Sequence, residues 1–272
     1  MQSDRRPAGE GKTGCMASYT GKHAEYYDIF YRDKDYAGEA AFVQACLERF
    51  SQGAPRRLLE MACGSGNHAL QLQQLGFEIV AIDYSEDLLA VARAKADSRN
   101  ASIDFRLADM RSLALADQPF DAAICLFDSI GYVQTNAAIQ QVLEGARKHL
   151  RPGGLFVFEF WHAAAMLKGY DPVRVRRWPV EGGELLRISS TRLKAEQQLA
   201  EVTYDIYDLR ADGTYSYLQE TQVNRYFLVQ EMAAFLSHAG LEPLAWLDGY
   251  SWKDDIDENT WHVLAVARRG MD

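Results

Sequence analysis

An apolar strand that runs straight into an acidic residue and a Gly-x-Gly turn constrains this chain more than any other feature. The stretch is Leu58-Leu59-Glu60-Met61-Ala62-Cys63-Gly64-Ser65-Gly66-Asn67-His68. Beyond it, Leu70, Leu72 and Leu75 mark an apolar-periodic helix. The two glycines let the backbone turn sharply and come close to a ligand. Glu60, just ahead of them, offers carboxylate oxygens to an amine or to hydroxyls. A nucleotide cofactor that carries its own positive charge suits such a turn.

Strands and helices then alternate. Strands are expected at 57–62, 78–83, 103–108, 121–127 and 154–160, and helices at 36–50, 67–75, 86–96 and 136–149. This order implies a parallel sheet with crossover helices. The pattern breaks after Trp161. Leu186 and Ile188, then Val202, Tyr204 and Ile206, then Tyr215 and Tyr217 alternate around an Asp212-Gly213 turn, which reads as antiparallel hairpins. A helix at 230–239 stops at Gly240, and strands near 243–248 and 260–268 follow. The expected architecture is a doubly wound, mostly parallel, Rossmann-like seven-stranded α/β sheet with an antiparallel β lid at 171–229. Residues 18–170 and 230–272 form the main domain, and 1–17 read as a disordered tail.

Polar residues stand at successive strand ends. Asp83 closes Glu78-Ile79-Val80-Ala81-Ile82-Asp83, where a doubly wound sheet binds ribose hydroxyls, and Ser85 reads as the cap of the next helix. Asp109 can accept from an exocyclic amine while Met110 packs on a purine face. The fourth strand ends in Phe127-Asp128-Ser129-Ile130-Gly131-Tyr132, at the edge where open α/β sheets build ligand sites.

Taken together, these ends resemble the class I S-adenosylmethionine-dependent methyltransferases. The glycine stretch matches their first motif, Asp83 and Asp109-Met110 match later ones, and Lys148-His149-Leu150-Arg151-Pro152-Gly153-Gly154-Leu155 matches the segment before their fifth strand. Tyr19-Thr20-Gly21, Glu25-Tyr26-Tyr27-Asp28, Lys34-Asp35-Tyr36, Ser129-Ile130-Gly131 and Phe158-Glu159-Phe160-Trp161 look most like small-molecule N-methyltransferases, including those of nucleotide-linked amino sugars. The resemblance implies S-adenosylmethionine as cofactor, with S-adenosylhomocysteine as product. It implies cofactor contacts from Tyr27, Tyr36, Glu60, Ala62, Gly64, Gly66, Asp83, Tyr84, Asp109, Met110 and Leu126. The amino-sugar enzymes often carry His where this chain has Tyr132, and Ser where it has Asp128. Those departures bear on the acceptor and leave the cofactor untouched.

An amine acceptor is mostly protonated at neutral pH and needs a proton acceptor or a pocket that lowers its pKa. Tyr132, Asp128 and Tyr19 are the candidate catalytic residues. Tyr19, Ser129, Tyr132, Trp161 and His162 are the candidate substrate contacts, His162 because it ends the fifth strand. The six histidines lack metal-ligand spacing, so no metal is expected. A formal charge of -9 argues against nucleic acid as a partner. No apolar run has membrane-span length, the N-terminus lacks a signal-peptide core, and Cys15, Cys46, Cys63 and Cys125 read as free thiols, which points to the cytoplasm. The partner is a small methyl acceptor, and the chain is a monomer or a homodimer. The expected reaction is methyl transfer to an amine. The alternatives are a small-molecule O-methyltransferase, a non-catalytic S-adenosylmethionine-binding protein and an NAD-type oxidoreductase. Pro152-Gly153-Gly154 and the missing third glycine speak against the last.

Overall fold

The computed structural model describes residues 21–116 and 118–271. Two helices come first, α1 (Lys22–Phe30) and α2 (Tyr36–Phe50). Strands and helices then alternate: β1 (Arg57–Met61), α3 (Asn67–Gln74), β2 (Glu78–Asp83), α4 (Glu86–Ser98), β3 (Asp104–Leu107), β4 (Phe120–Cys125), α5 (Asn136–His149), β5 (Leu150–Trp161) and α6 (Ala163–Gly169). Four strands follow, β6 (Val173–Val180), β7 (Gly183–Lys194), β8 (Leu199–Arg210) and β9 (Tyr215–Arg225). Helix α7 (Val229–His238), β10 (Leu241–Asp248) and β11 (His262–Arg269) complete the chain.

The expected seven-stranded sheet forms, in the order β10-β11-β5-β4-β1-β2-β3. Only β11 runs against its neighbours. The central strands read as unbroken apolar runs because helices cover both faces. On one face Leu59, Met61, Phe156 and Phe158 meet α5 and α7. On the other, Leu58, Ile124 and Val157 meet α2 and α3. Helix starts follow local chemistry: the side chains of Asp35, Ser85 and Thr135 accept from Gly38, Leu88 and Ala138 N–H. Ser85 thus fills the cap role expected of it. Strand order reverses between β1 and β4, which opens a crevice at their carboxyl ends.

Strands β6 to β9 make a separate antiparallel sheet. Its edge strand β9 lies along the turn after β4. Arg225 donates to the Gln134 carbonyl (3.3 Å), Asn224 to Asp128 (3.0 Å), and Tyr132 to Gln222 (2.9 Å). Helix α1 packs on one face of this sheet through Phe30, Trp178, Leu185 and Ile206.

Two features lie beyond the sequence expectation. The aromatic segment before Tyr36 is largely helical, and its Tyr and Phe residues fasten that helix to the small sheet. On β7 the buried positions are Leu185, Arg187 and Ser189, whereas Leu186 and Ile188 lie on the more open face. The covered face carries polar side chains, so apolar alternation alone does not mark it.

Asp128 is buried, and its carboxylate accepts from Trp161 N–H (2.8 Å) and from Asn224 Nδ2 (3.0 Å). It ties β5, the crevice and the small sheet together. Asn224→Leu removes one of these bonds from a buried carboxylate, so urea unfolding should show a loss of about 1–3 kcal/mol.

Candidate active site

The loop after β1 is built from left-handed backbone: φ is +57° at Ala62, +55° at Gly64 and +75° at Gly66. The glycines serve different ends. A Cβ at Gly66 would lie 3.0 Å from Ala92 and from the Phe105 ring, so its bareness lets α4 and β3 close up. A Cβ at Gly64 would meet only the Tyr27 phenol, at 3.7 Å and beyond. There the conformation itself demands glycine. Gly64 N–H donates to Asp83 (2.8 Å), whose other oxygen accepts from Ser85 N–H (2.8 Å). From α1, Asp28 accepts from Ser65 (2.7 Å) and Asn67 (3.0 Å) and pairs with Lys95 (2.8 Å).

Glu60 lies at the bottom of the crevice and is 2% exposed. Its Oε2 has no hydrogen-bond partner among the described residues. Burial, with the nearby Asp83 charge, pushes its carboxyl up to about 8. Such a group lacks a cation. It borders a tight hollow of about 20 Å³ that Tyr27, Tyr36, Ala62, Leu126, Phe127 and Ser129 also line. A larger cavity of about 470 Å³ shares Ala62 and Ser129 with the hollow. Asp83, Tyr84, Asp109 and Met110 line one end of it, and Tyr132, Gln134, Thr221 and Val223 the other. The two spaces together match a ligand with a small cationic end and a flat, hydroxylated body. Asp109 does not stand alone: Arg111 donates to both of its oxygens and holds its carboxyl below the usual range.

Tyr132 stands where the cavity meets β9. Its hydroxyl donates to Gln222 Oε1 (2.9 Å), and Gln222 Nε2 donates to Glu220 (3.0 Å). The Glu220 carboxylate fixes which end of the amide faces Tyr132, and so fixes the hydroxyl proton. Anything that meets Tyr132 Oη from the cavity meets a lone pair.

Three expected contacts need correction. Asp128 lines neither space; its oxygens are spent on Trp161 and Asn224, and burial raises its carboxyl well above the usual range. It is therefore a clamp and not a base at the cavity. The Trp161 ring packs with Ala163, Met166 and Tyr226, away from the cavity. His162 is buried, with its Nδ1 at the Thr260 carbonyl (3.2 Å), and helps join β5 to the segment before β11. Tyr19 lies outside the described residues. Of the cysteines, Cys46, Cys63 and Cys125 are free and buried.

A triad around the buried Glu159 escaped the sequence reading. Glu159 accepts from Tyr250 (2.6 Å), His262 (2.6 Å) and Phe127 N–H (3.1 Å). Burial alone would raise Glu159, but these bonds and the His262 charge bring it down to about 2. His262 is raised in turn, as Glu159 outweighs its desolvation. Lys34 lies 4.4 Å from the centre of the Phe127 ring and pairs with Glu39, which also meets His68 (2.7 Å). The only signal was Phe158-Glu159-Phe160, an acid inside an apolar strand.

Glu60 binds its proton more tightly folded than unfolded, with values near 8 and 4.5. Its contribution to stability is therefore present below about 4.5 and lost as pH rises through about 8. Glu60→Gln should flatten the fall in thermal midpoint between pH 5 and 8.5 and melt above the parent at pH 8.5. It should also weaken cofactor binding at least tenfold.

Comparison with known proteins fits this geometry. Residues 58–154 match a family described as "Methyltransferase domain". The chain is 33% identical over 195 residues to a Streptomyces fradiae dTDP-3-amino-3,6-dideoxy-alpha-D-glucopyranose N,N-dimethyltransferase, covering 70% of this chain and 73% of that protein. A Streptomyces venezuelae dTDP-3-amino-3,4,6-trideoxy-alpha-D-glucopyranose N,N-dimethyltransferase is 31% identical over 193 residues, covering 70% and 78%. Among solved structures, the sugar N-methyltransferase KedS8 from Streptoalloteichus has a TM-score of 0.75 at 25% identity, covering 96% of this chain and 100% of that one. A Clostridium acetobutylicum S-adenosylmethionine-dependent methyltransferase shares the fold, with a TM-score of 0.79 at 20% identity over 92% and 98%. A chain so similar to these enzymes, with their glycine loop and strand ends in place, belongs to the class I S-adenosylmethionine-dependent methyltransferases.

Proposed function

We propose that the chain methylates an amine nitrogen of a small molecule, and that Tyr132 receives that amine. When bound, S-adenosylmethionine supplies a methyl group made electrophilic by its sulfonium. In this reading Glu60 and the loop backbone hold the amino-acid end of the cofactor, Asp83 takes the ribose hydroxyls, and Asp109 and Met110 take the adenine, with Tyr84 at the rim. Tyr27 and Tyr36 close over the hollow, and Leu126 forms its floor. The orphaned Glu60 oxygen is what fits the cofactor's ammonium. Residues 18–170 and 230–272 act as the catalytic domain and 171–229 as a substrate lid. We place the enzyme in the cytoplasm, in keeping with free, buried Cys46, Cys63 and Cys125.

The observation that carries the acceptor assignment is the direction of the Tyr132 hydrogen bond. With its proton committed to Gln222, Tyr132 accepts an N–H from the amine and turns the nitrogen lone pair toward the methyl group. An amine reaches its reactive form by losing one proton to water, and a partly apolar cavity favours that neutral form. An alkyl hydroxyl ionises only far above neutral pH, near the value of water, and needs a strong base beside it. Of the carboxylates lining the cavity, Asp83 is held by Gly64 and Ser85 and Asp109 by Arg111, so neither stands ready as that base. The relatives named above act on amines, which supports the same choice.

Amino sugars and their hydroxyl counterparts, free and nucleotide-linked, should be assayed for S-adenosylhomocysteine release. Amines should turn over and hydroxyls should not; the reverse result sinks the assignment. Tyr132→Phe should lower kcat/KM on the order of 10- to 100-fold, the range expected for one charge-assisted hydrogen bond, with cofactor affinity unchanged. Gln222→Leu should act in the same direction.

A further inference from the structure

Glu159 interrupts an apolar row that packing alone would complete. It is buried on β5, two residues beyond Val157 and directly opposite Leu264 in the β5–β11 register, and both of those are buried too. Val157 and Leu264 belong to the core on the α2 and α3 side of the sheet, so an apolar side chain would suit this place. A carboxylate buried there is costly unless donors surround it. The chain brings donors from three separate places. Phe127 N–H comes from the turn after β4 (3.1 Å), the Tyr250 hydroxyl from the loop after β10 (2.6 Å) and His262 Nδ1 from the start of β11 (2.6 Å).

These bonds lead to the hollow beside Glu60. Phe127 lines it with a φ of +57°, a conformation that a bulky side chain rarely adopts. Lys34 Nζ stands 4.4 Å from the centre of the Phe127 ring, 5.8 Å from that of Tyr250 and 5.6 Å from that of Tyr36. Lys34 lies in the α1–α2 connection, two residues before Tyr36, which lines the hollow as well. It pairs with Glu39, and Glu39 holds His68, a third lining residue. One carboxylate thus holds Phe127 directly and reaches the segment that carries Tyr36 through Tyr250 and Lys34.

We propose that Glu159 is a positioning residue for the cofactor, setting Phe127 directly, and Tyr36 through Tyr250 and Lys34, as walls of the hollow, on the reading that this hollow takes the ammonium at Glu60. Glu159 itself lines neither the hollow nor the larger cavity and acts through the residues it holds. An apolar side chain would fill the same space but would not choose among backbone poses of Phe127. A hydrogen bond does, because it is directional. In a hollow of about 20 Å³ a small displacement of either wall removes the room for a ligand.

Calorimetric titration with S-adenosylhomocysteine tests this without any methyl acceptor. Glu159→Leu fills the space but accepts no hydrogen bond, and should weaken binding on the order of tenfold, the scale of one lost hydrogen bond. Glu159→Gln still offers an amide oxygen to Phe127 N–H and should stay within about threefold of the parent. Thermal midpoints separate positioning from folding. Glu159→Leu should melt no lower than the parent, because it completes an apolar row. Should it melt lower, Glu159→Leu combined with His262→Leu removes the stranded imidazole too; that double variant should regain the midpoint without regaining affinity. Affinity that returns with the midpoint, a double variant that still melts low, parent-like affinity in Glu159→Leu, or equal losses in Glu159→Leu and Glu159→Gln each mark a purely structural carboxylate and overturn the proposal. Glu60→Gln tests the underlying reading in the same titration. Parent-like binding there overturns that reading of the hollow. Weakened binding there, with Glu159→Leu unaffected, overturns the role of Glu159 alone.

Discussion

Left-handed backbone borders the crevice on both sides, and buried carboxylates hold it there. Ala62, Gly64 and Gly66 form one lip and Phe127 and Asp128 the other, all with positive φ. For the three non-glycine residues that conformation costs on the order of 1 kcal/mol or more each. Asp83 grips Gly64 N–H, Glu159 grips Phe127 N–H, and Asp128 grips the Trp161 backbone and Asn224. Asp83 ends β2, Asp128 stands in the turn after β4 and Glu159 lies within β5, so the sheet supplies the rigidity the lips lack. Sheet order fixes where the crevice opens, and the carboxylates fix its shape.

The same arrangement divides the acids by task. Asp83, Asp128 and Glu159 are satisfied by backbone or side-chain donors. Glu60 keeps an oxygen without a donor at the bottom of the hollow. Burial and the nearby Asp83 raise its pKa, whereas Glu159, bonded to His262 and Tyr250, is driven the other way. Two glutamates within the same crevice thus carry opposite shifts. Burial is common to both, and the presence of a cationic partner decides the outcome.

Much of this was legible in the sequence. The glycine turn, Asp83, Asp109-Met110 and Pro152-Gly153-Gly154 are local signals, fixed by backbone conformation and strand ends, and they gave the sheet and the family. The rest depends on tertiary placement. Asp128 and Tyr132 sit four residues apart in one loop and looked alike as candidates. Only β9, arriving from ninety residues away, shows that Asn224 consumes the first while Gln222 orients the second. His162 looked well placed because it ends β5, but its ring turns to Thr260. Arg187 was invisible, since a polar residue in an alternating strand reads as solvent-facing and here it points inward.

The central claim is that Glu60 awaits the cofactor's ammonium, and proton exchange on binding tests it most directly. At pH 6.5 a carboxyl with a pKa of about 8 is almost wholly protonated, and an adjacent ammonium ionises it. S-adenosylhomocysteine should be titrated at that pH in buffers of different ionisation enthalpy. The account predicts release of close to one proton per ligand bound, lost in Glu60→Gln. Binding with no proton released, or with the same release in the variant, would contradict it.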